Sequence, residues 1–386
     1  MCDHTFANQL KEWRHYLHMY PETAFEEKIT SAFIAERLSA MGLEVHTKIG
    51  GTGVVASLKA GDGNEVVGLR ADMDCIYINE TTGLPYQSKH AGKMHACGHD
   101  GHVVTLLGAA MLLCERKNFN GTVRFIFQPA EEPGTGAPAM LADGLLERFP
   151  MDEIYGFHNM PSFPAGTAHM RTGGIMASED NFVIGIKGKG SHASAPHLSI
   201  DPLVTAAEII LALQTIVSRS LSPALSGVVS CTEIFTDGAH NAIPTNAKIL
   251  GDTRSFDPQV QALIETKMRE ISESICRMNG AECEFKYTHE FTPTINWEKC
   301  VNVAAMAARK VLGAENVDAN CAPWMGSEDF GAFLQEIPGC YFFLGTGEHE
   351  NPADNIPPHN SAYDYNDDML ETGAQLFAEL VATRLK

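Results

Sequence analysis

The chain has 386 residues, of which 44% are hydrophobic and 20% are charged. This composition is ordinary for a folded globular protein of two or three domains and excludes a disordered chain. The 28 Lys and Arg residues against 48 Asp and Glu residues give a formal net charge of −20. A nucleic-acid partner is therefore disfavoured, because phosphate backbones repel a polyanion.

Signals for membrane insertion and export are not found in the sequence. The strongest apolar run, 103–113, is interrupted by Thr105 and Gly108, so we expect no membrane-spanning helix and no membrane partner. The N-terminal segment is polar and lacks an apolar signal core. The ten cysteines form no CxxC pair. We therefore expect a cytoplasmic protein whose thiols are mostly reduced.

The first half of the chain predicts alternating helices and strands. Helices are expected at about 5–19 and 23–41, since Pro21 and Gly42 are typical residues for ending a helix. Runs of β-branched and aromatic residues predict strands, and apolar periodicity predicts further helices. The predicted strands are 53–60, 65–72, 122–128 and 153–159, and the predicted helices are about 101–115 and 136–148. This alternation predicts an α/β layer fold with a mixed, largely parallel sheet.

The pattern changes near residue 180 and changes back near residue 291. A strand that begins near 181 is followed by a helix at 201–219, strands at 226–236 and 245–256, a helix at 258–278 and a strand at 282–290. This β-α-β-β-α-β order is that of a ferredoxin-like α+β unit. Helices at about 299–312 and 366–384 and a strand at 341–347 then return to the α/β pattern. We expect one domain formed by 1–179 and 291–386, with a smaller domain, 180–290, inserted into it.

Acidic and imidazole side chains follow several of the predicted strands. Ligand sites in open α/β sheets form beyond the carboxyl ends of the strands, so we expect these side chains to converge on one cation site. They are Asp72, Asp74, Glu131, Glu132, His158 and His359.

The segment MHACGHDGH, at 94–102, has the composition of a metal-binding loop. Cys97 and His99 are two residues apart, so an extended chain would place both on one side. A thiolate with an imidazole suits a borderline-soft ion such as Zn²⁺. Taken alone, this stretch is better explained by a buried cysteine beside surface histidines. The acidic pair and His158 at other strand ends favour the metal site.

The adjacent acids Glu131 and Glu132 suggest a division of roles. In an extended chain their side chains would point in opposite directions. One carboxylate could then bind a metal ion while the other takes a proton from a bound water, as metal-assisted hydrolysis requires. A solvated acidic loop is the alternative explanation for the pair.

Nine segments in order along the chain carry a family resemblance. They are RHYLHMYPE (14–22), GLRADMD (68–74), MHACGHDGH (94–102), FQPAEE (127–132), FHNMP (157–161), GSHASAP (190–196), NAIPTNA (241–247), SEDF (327–330) and PPHNSAYDYND (357–367). Together they resemble the M20 metallopeptidase superfamily and, within it, the amidohydrolase branch. That branch contains hippurate hydrolases, N-acyl-amino-acid deacylases and auxin-conjugate hydrolases, and the hippurate-hydrolase-like group resembles this chain most.

The resemblance implies a zinc-peptidase-like catalytic domain that binds two divalent ions, with Zn²⁺, Mn²⁺, Ni²⁺ and Co²⁺ all open. The inserted domain would act as a lid and as the interface of a homodimer. The implied metal ligands are Cys97, His99, Glu132, His158 and His359.

The resemblance also implies roles for residues around the ions. Glu131 would be the general base, and Cys97 would bridge the two ions. Asp72 and Asp74 would hold the ligands and their hydrogen bonds in place.

Three residues of the inserted domain match substrate-binding positions of the family. His192 matches a histidine that reaches the neighbouring active site across the dimer and hydrogen-bonds the substrate carbonyl oxygen. Asn241 and Arg254 match polar positions that meet the acyl or carboxylate end of the substrate, and an arginine can clamp a carboxylate with two hydrogen bonds. Without the surrounding motifs, a surface histidine, a turn asparagine and a solvated arginine would be the better explanations.

We therefore expect a metal-dependent amidohydrolase whose partner is a small N-acyl amino acid. A dipeptidase or carboxypeptidase using the same metal site is the alternative within enzymes. A non-catalytic metal- or ligand-binding protein is the alternative from another class, and the presence of Glu131 as a base disfavours it.

Overall fold

The computed structural model describes residues 3–349 and 351–386, without the side chains of residues 3–5. The chain divides into two compact units. The first comprises the chain up to Ile175, Thr294–Pro323 and Asp329–Lys386, and the second comprises Met176–Pro293 and Trp324–Glu328. The sequence analysis placed 324–328 in the larger domain. A backbone bridge between Met176 and Trp324 joins this segment to the second unit instead.

The α-helices of the described residues vary widely in length. They are α1 Asp3–Met19, α2 Lys28–Ala40, α3 His99–Arg116, α4 Gly136–Ala142, α5 Leu145–Arg148, α6 Pro202–Thr215, α7 Pro258–Met278, α8 Glu298–Leu312, α9 Gly331–Glu336 and α10 Met369–Arg384.

The strands form two main sheets and two short ladders. They are β1 Glu44–Ile49, β2 Gly53–Ala60, β3 Val66–Asp72, β4 Gly121–Gln128, β5 Glu153–Pro164, β6 Ala168–His169, β7 Gly173–Met176, β8 Glu179–Lys187, β9 Ser191–His192, β10 Gly227–Thr236, β11 Ala242–Ile243, β12 Asn246–Ser255, β13 Glu282–Phe291, β14 Thr294–Asn296, β15 Val317–Asp318 and β16 Gly339–Gly347.

The first unit is built on an eight-stranded sheet in the order β1-β2-β4-β3-β5-β16-β6-β15. The strands from β4 to β16 in this order run parallel to one another, and antiparallel pairs lie on either side of them. All nine residues of β16 are buried, as expected for a central strand with both faces covered. The sheet confirms the predicted α/β class with a mixed, largely parallel sheet.

The second unit is an antiparallel sheet with two helices. Its four strands lie in the order β10-β12-β8-β13, and α6 and α7 pack on the sheet. Apolar side chains of β8, among them Phe182 and Ile184, form its core with Ile209 of α6 and Ile264 of α7. Along the chain the elements follow the order β8-α6-β10-β12-α7-β13, which is the ferredoxin-like order.

Helix α2 begins later than the sequence pattern predicts. It starts at Lys28, and not near residue 23, because the preceding residues form a turn. Phe25 has a φ of 60°. The carboxylate of Glu22 accepts hydrogen bonds from the amide and hydroxyl of Thr30, at 2.9 and 3.1 Å. A side chain in the turn therefore satisfies a free amide of the first helical turn.

Two further differences concern element number. The single helix expected at 136–148 is divided into α4 and α5 at Gly144, which has a φ of 80°. Several elements had no clear sequence signal because they are short or solvated on one face. They are β1, β6, β7, β9, β11, β14, β15 and α9.

Among the described residues, the segment Pro202–Ser220 is long and apolar enough to cross a membrane, judged by length and composition alone. The sequence analysis expected no such segment, and on these two criteria it was wrong. The buried helix of a folded domain meets the same criteria, so the finding is weak evidence for a membrane. The side chains of Ile209, Leu213 and Ile216 lie in the core of the second unit.

A buried arginine ties the N-terminal helix to the rest of the first unit. Arg14 of α1 has no exposed surface, and its Nε donates to Asp100 Oδ2 at 2.9 Å. Its other nitrogens contact Asp364 and Asp367 in the segment before α10. Burial opposes the charge of Asp100, but Arg14 and His18 hold the pKa of this carboxyl well below its ordinary value. Asp100 lies in the first turn of α3, so this ion pair also fixes the position of the 94–102 loop.

Replacing this arginine should destabilise the fold. Arg14→Met leaves Asp100 buried beside no guanidinium, so we expect a loss of about 3–5 kcal/mol in the free energy of unfolding. Lys11→Met is the matched control, because Lys11 pairs with Asp367 at 3.3 Å while half of its side chain is exposed. We expect the control to change stability by less than about 1 kcal/mol. Equal losses in urea unfolding of the two variants would contradict this account.

Candidate active site

Four neighbouring strands of the large sheet bring functional side chains to one edge. Strands β4, β3, β5 and β16 are adjacent and parallel, so their carboxyl ends lie together. Asp72 is the last residue of β3, and Glu131 and Glu132 follow β4. His158 lies within β5, and the loop after β16 carries His359. The predicted convergence at this edge is therefore present.

The five residues expected to bind metal have their side chains in one cluster. Cys97 Sγ lies 3.4 Å from His158 Nε2, and His359 Nε2 lies 3.4 Å from Glu132 Oε2. The possible ligand atoms of Cys97, His99 and His158 lie within 4.8 Å of one another. Those of Cys97, Glu132 and His359 do so as well. The sulfur of Cys97 is thus common to two groups of three ligands.

The donor atoms in this cluster are consistent with a bound cation. His99 Nε2 and Glu132 Oε1 are both buried and have no hydrogen-bond partner. Burying a polar atom without a partner is costly, and native proteins rarely do so without an ion or a water. Both atoms are of the kind that divalent transition metals bind, and a cation between them would satisfy both.

Backbone carbonyls fix the orientation of two of the imidazoles. His99 Nδ1 lies 3.0 Å from the carbonyl oxygen of Asp74, and His158 Nδ1 lies 2.6 Å from that of Asn159. A carbonyl can only accept, so each Nδ1 must carry the proton. The neutral His158 therefore presents a lone pair at Nε2. Burial opposes the charge of His99, but Asp72 raises the pKa of this imidazole well above its ordinary value, so a cation must displace a proton from its Nε2.

Burial shapes the electrostatics of the cluster. Burial, and then the charge of Glu132, raises the pKa of the Cys97 thiol to about 12. Burial and the neighbouring His102 lower the pKa of His158 to about 3. Burial opposes the charge of Asp72, but His99, His102 and Arg70 hold its pKa well below the ordinary value. His158 is thus neutral, and the Cys97 thiol would form a thiolate only beside a strong positive charge.

The approach of Cys97 and His99 does not come from an extended chain, as the sequence analysis supposed. Gly98 between them has a φ of 96°, and α3 begins at His99. A Cβ at Gly98 would lie 2.6 Å from Asn159 Oδ1. Only glycine therefore fits this turn, both by conformation and by space.

The expectation that Glu131 and Glu132 point in opposite directions is wrong. Oε2 of Glu131 and Oε1 of Glu132 lie 3.8 and 3.9 Å from the same nitrogen, His99 Nε2. The chain is not extended here, since Ala130 has a φ of 51°. The two oxygens of Asp74 accept hydrogen bonds from the amides of Glu131 and Glu132, each at 3.1 Å. The turn brings both carboxylates to the same side.

A second buried carboxylate holds the residue before this pair. The amide of Ala130 donates to Glu27 Oε1 at 2.9 Å, and the hydroxyl of Thr52 donates to Glu27 Oε2 at 2.5 Å. Glu27 has no exposed surface. The sequence analysis did not identify Glu27, because nothing in its local pattern connects it with a loop about 100 residues away.

His102 links two of the strands behind the cluster. Its Nδ1 lies 2.6 Å from Asp72 Oδ1, and its Nε2 lies 2.6 Å from Asn159 Oδ1. Asn159 in turn donates to the hydroxyl of Tyr363 at 2.6 Å. The sequence pattern gave no signal for the contacts of Asn159 and Tyr363. Both residues lie inside segments that carry the family resemblance, FHNMP and PPHNSAYDYND.

The three expected substrate-binding residues all lie in the second unit. His192 and Asn241 line one open cavity of about 490 Å³, and His192 pairs with Ala242 in the ladder of β9 and β11. Thr245, which directly precedes β12, lines the same cavity. Arg254 is the second-last residue of β12 and lies about 26 Å along the strand from its first residue. The unit therefore brings His192 and Asn241 together and leaves Arg254 apart from them.

Comparisons with known proteins identify the family of this chain. Residues 68–383 match Peptidase family M20/M25/M40. The chain is 40% identical to a hippurate hydrolase of Campylobacter jejuni, over 98% of this chain and 97% of that protein. It is 39% identical to thermostable carboxypeptidase 1 of Saccharolobus solfataricus, over 97% and 96%. The crystal structure of the Bacillus subtilis YXEP protein, a dinuclear metal-binding peptidase from the M20 family, matches with a TM-score of 0.86 and 36% identity over 99% of both chains. These similarities confirm the resemblance drawn from the nine segments.

Glu27 should make stability depend on pH near neutrality. Burial raises its pKa from 4.5 to about 7, so a proton on Glu27 favours the folded state. This contribution is complete below pH 4.5 and is lost as the pH rises through 7. Relative to Glu27→Gln, which does not titrate, the wild-type free energy of unfolding should fall by up to about 3 kcal/mol over this range. The free energies of unfolding are measured by urea unfolding at several pH values. The same pH dependence in both proteins would contradict this role of Glu27.

Proposed function

Because the chain belongs to the M20 peptidase family, we propose that this metal-dependent amidohydrolase cleaves N-acyl amino acids into a carboxylic acid and a free amino acid. The observation that carries the proposal is the cluster of five ligand side chains with the carboxylate of Glu131 beside it. The similarity to a hippurate hydrolase, over nearly the whole of both chains, supports an acylated amino acid as the substrate.

We propose that Cys97, His99, Glu132, His158 and His359 would hold two divalent ions. The dinuclear relative and the unpartnered atoms of His99 and Glu132 support this assignment. When bound, the ions would polarise the amide carbonyl and acidify a water. Zn²⁺, Mn²⁺, Ni²⁺ and Co²⁺ all suit this mixed thiolate, imidazole and carboxylate set, so availability decides among them.

Glu131 acts as the proton carrier. Its side chain is buried, and Asp74 holds its amide in a fixed turn. In the proposed reaction, Glu131 takes a proton from the water that attacks the amide carbon. It then gives this proton to the leaving nitrogen, which departs as the amine of the free amino acid. Asp72 and Asp74 support this by holding His102 and the Glu131–Glu132 turn.

We propose that His192 donates a hydrogen bond to the substrate carbonyl oxygen in the active site of a partner subunit. Its exposed side chain, next to Asn241 in an open cavity, supports a role outside its own unit's core. Asn241 would contact the acyl or carboxylate end of the same substrate.

Arg254 is proposed to bind the substrate carboxylate. Its guanidinium contacts Glu179 and Ser327 at 2.8 Å, and Asp252 at 3.1 Å. These partners hold the side chain in one orientation. A substrate carboxylate would have to compete with Glu179 for the same nitrogens.

A homodimer through the second unit would cover its apolar surface. The outer face of α6 exposes Val204 and Leu211, and strand β10, at the edge of the sheet, exposes Ile234 and Phe235. An unpaired edge strand beside apolar side chains is a typical protein interface. Such an interface also explains the apolar composition of the segment 202–220.

The proposed activity is tested by a turnover panel. Metal-stripped protein, reloaded with each of the four ions, is assayed on N-benzoyl and N-acetyl amino acids and on unblocked dipeptides. We expect faster hydrolysis of the blocked substrates, because a free α-amine needs a counter-charge that an acyl group does not. Preference for dipeptides would favour the peptidase alternative, which is supported by the similarity to a carboxypeptidase. Metal binding without hydrolysis of any substrate would overturn the enzymatic proposal.

The two adjacent glutamates should respond differently to the same change. Glu131→Gln removes the base, so turnover should fall at least about 10²-fold while metal content stays unchanged. Glu132→Gln is the matched variant one residue away, and it should lower metal content as well as turnover. Near-normal turnover in Glu131→Gln would refute the role of this residue.

Mixing two inactive variants tests whether His192 acts across a dimer. His192→Ala and Glu131→Gln should each lower turnover, and His192→Ala should keep its metal. Co-expressed together, mixed dimers contain one complete site, so about a quarter of the wild-type activity should return. If no activity returns from dimers shown to contain both variants, His192 does not act in the partner's site.

A further inference from the structure

We propose that Glu27 is a positioning residue that sets the geometry of the general base Glu131. The inference rests on the proposed function, since it concerns the residue that moves the proton there. Glu27 lies directly before α2, and its side chain accepts a hydrogen bond from the amide of Ala130. It acts through the backbone of Ala130.

Three successive amides leading into the site are each held by a buried carboxylate. The amide of Ala130 donates to Glu27 at 2.9 Å, and those of Glu131 and Glu132 donate to Asp74 at 3.1 Å. Glu27 and Asp74 have no exposed surface. Such a run of carboxylate contacts fixes the path of the backbone at every residue of the turn.

The contact made by Glu27 is at the residue where the chain leaves its strand. Ala130 has a φ of 51°, a left-handed conformation that alanine rarely adopts without outside support. The next residue is Glu131, so a relaxed φ at Ala130 would swing the base away from its place. Asp74 alone cannot prevent this, because both of its oxygens already accept from the two following amides.

Glu27 itself is held in place from two sides. The hydroxyl of Thr52, in the turn between β1 and β2, donates to its second oxygen at 2.5 Å. Its own carbonyl accepts from the amide of Ser31 in α2. The position of Ala130 is thus set by a helix start and a strand turn that lie outside the metal-binding loop.

The role requires a hydrogen bond from the Ala130 amide and a second hydrogen bond with the Thr52 hydroxyl, and no net charge. A glutamine at position 27 can still accept from the Ala130 amide through its oxygen, and its nitrogen can donate to the Thr52 hydroxyl. An alanine can do neither. A positioning role therefore predicts that the neutral isostere restores activity that alanine removes.

The test compares Glu27→Ala, Glu27→Gln and a control, Glu22→Ala. Glu22 is a buried carboxylate of the same turn, and its side chain instead accepts hydrogen bonds from the amide and hydroxyl of Thr30 in α2. With N-benzoylglycine as substrate, Glu27→Ala should lower kcat by about 10²-fold, with KM changed less than about threefold, because displacement of a base acts on the chemical step. Glu27→Gln should stay within about threefold of wild type. Glu22→Ala should lower the unfolding midpoint without a comparable loss of kcat.

A second readout does not depend on activity. Amide hydrogen exchange of a peptide covering 129–136, measured on metal-free protein, should speed up at least about tenfold in Glu27→Ala and remain near wild type in Glu27→Gln and Glu22→Ala. If the wild-type protein hydrolyses no substrate but the variants differ in exchange as expected, the proposed function fails while Glu27 still positions the loop. Equal exchange in all variants, or equal kcat losses in Glu27→Ala and Glu22→Ala, would overturn the inference.

Discussion

Asp74 accepts the amides of Glu131 and Glu132 with its two carboxylate oxygens, and the geometry of the site depends on this contact. It is possible because β3 and β4 are adjacent and parallel, so the residue two beyond β3 meets the loop beyond β4. The carbonyl of Asp74 also orients His99. Asp74 thereby fixes the proposed ligands His99 and Glu132 and the proposed base Glu131 relative to one another.

Several acidic side chains of the first unit are buried, and nearby cationic side chains neutralise them unevenly. Asp72 lies beside Arg70 at 2.7 Å and beside His102, so it stays ionised. Burial instead raises the pKa of Asp74, which contacts amides but no guanidinium. A pair of divalent ions would supply the missing positive charge. The proposed ions would therefore balance part of the buried negative charge of this cluster.

The sequence predicted the parts of this site that follow from strand ends and from segment order, and not those that depend on local backbone conformation. Acidic and imidazole residues after predicted strands do meet at one edge. The opposed directions expected for Glu131 and Glu132 were wrong, since a left-handed Ala130 has no signature in the residue type. Glu27 could not be predicted, because its contact spans about 100 residues and joins a helix start to a loop. Segment 324–328 was misplaced for a similar reason, since only backbone pairing assigns it to the second unit.

The histidines show how the fold orients two of the proposed ligands before any ion arrives. In both His99 and His158 the nitrogen facing away from the cluster donates to a backbone carbonyl, which has no freedom to become a donor. The tautomer and the ring orientation are then set by the fold, and not by the metal. His359 differs, because more than half of its side chain is exposed and its contact in the cluster is with Glu132. We therefore expect the buried proposed ligands to contribute most of the ion affinity. We expect His359 to move when ions or substrate exchange.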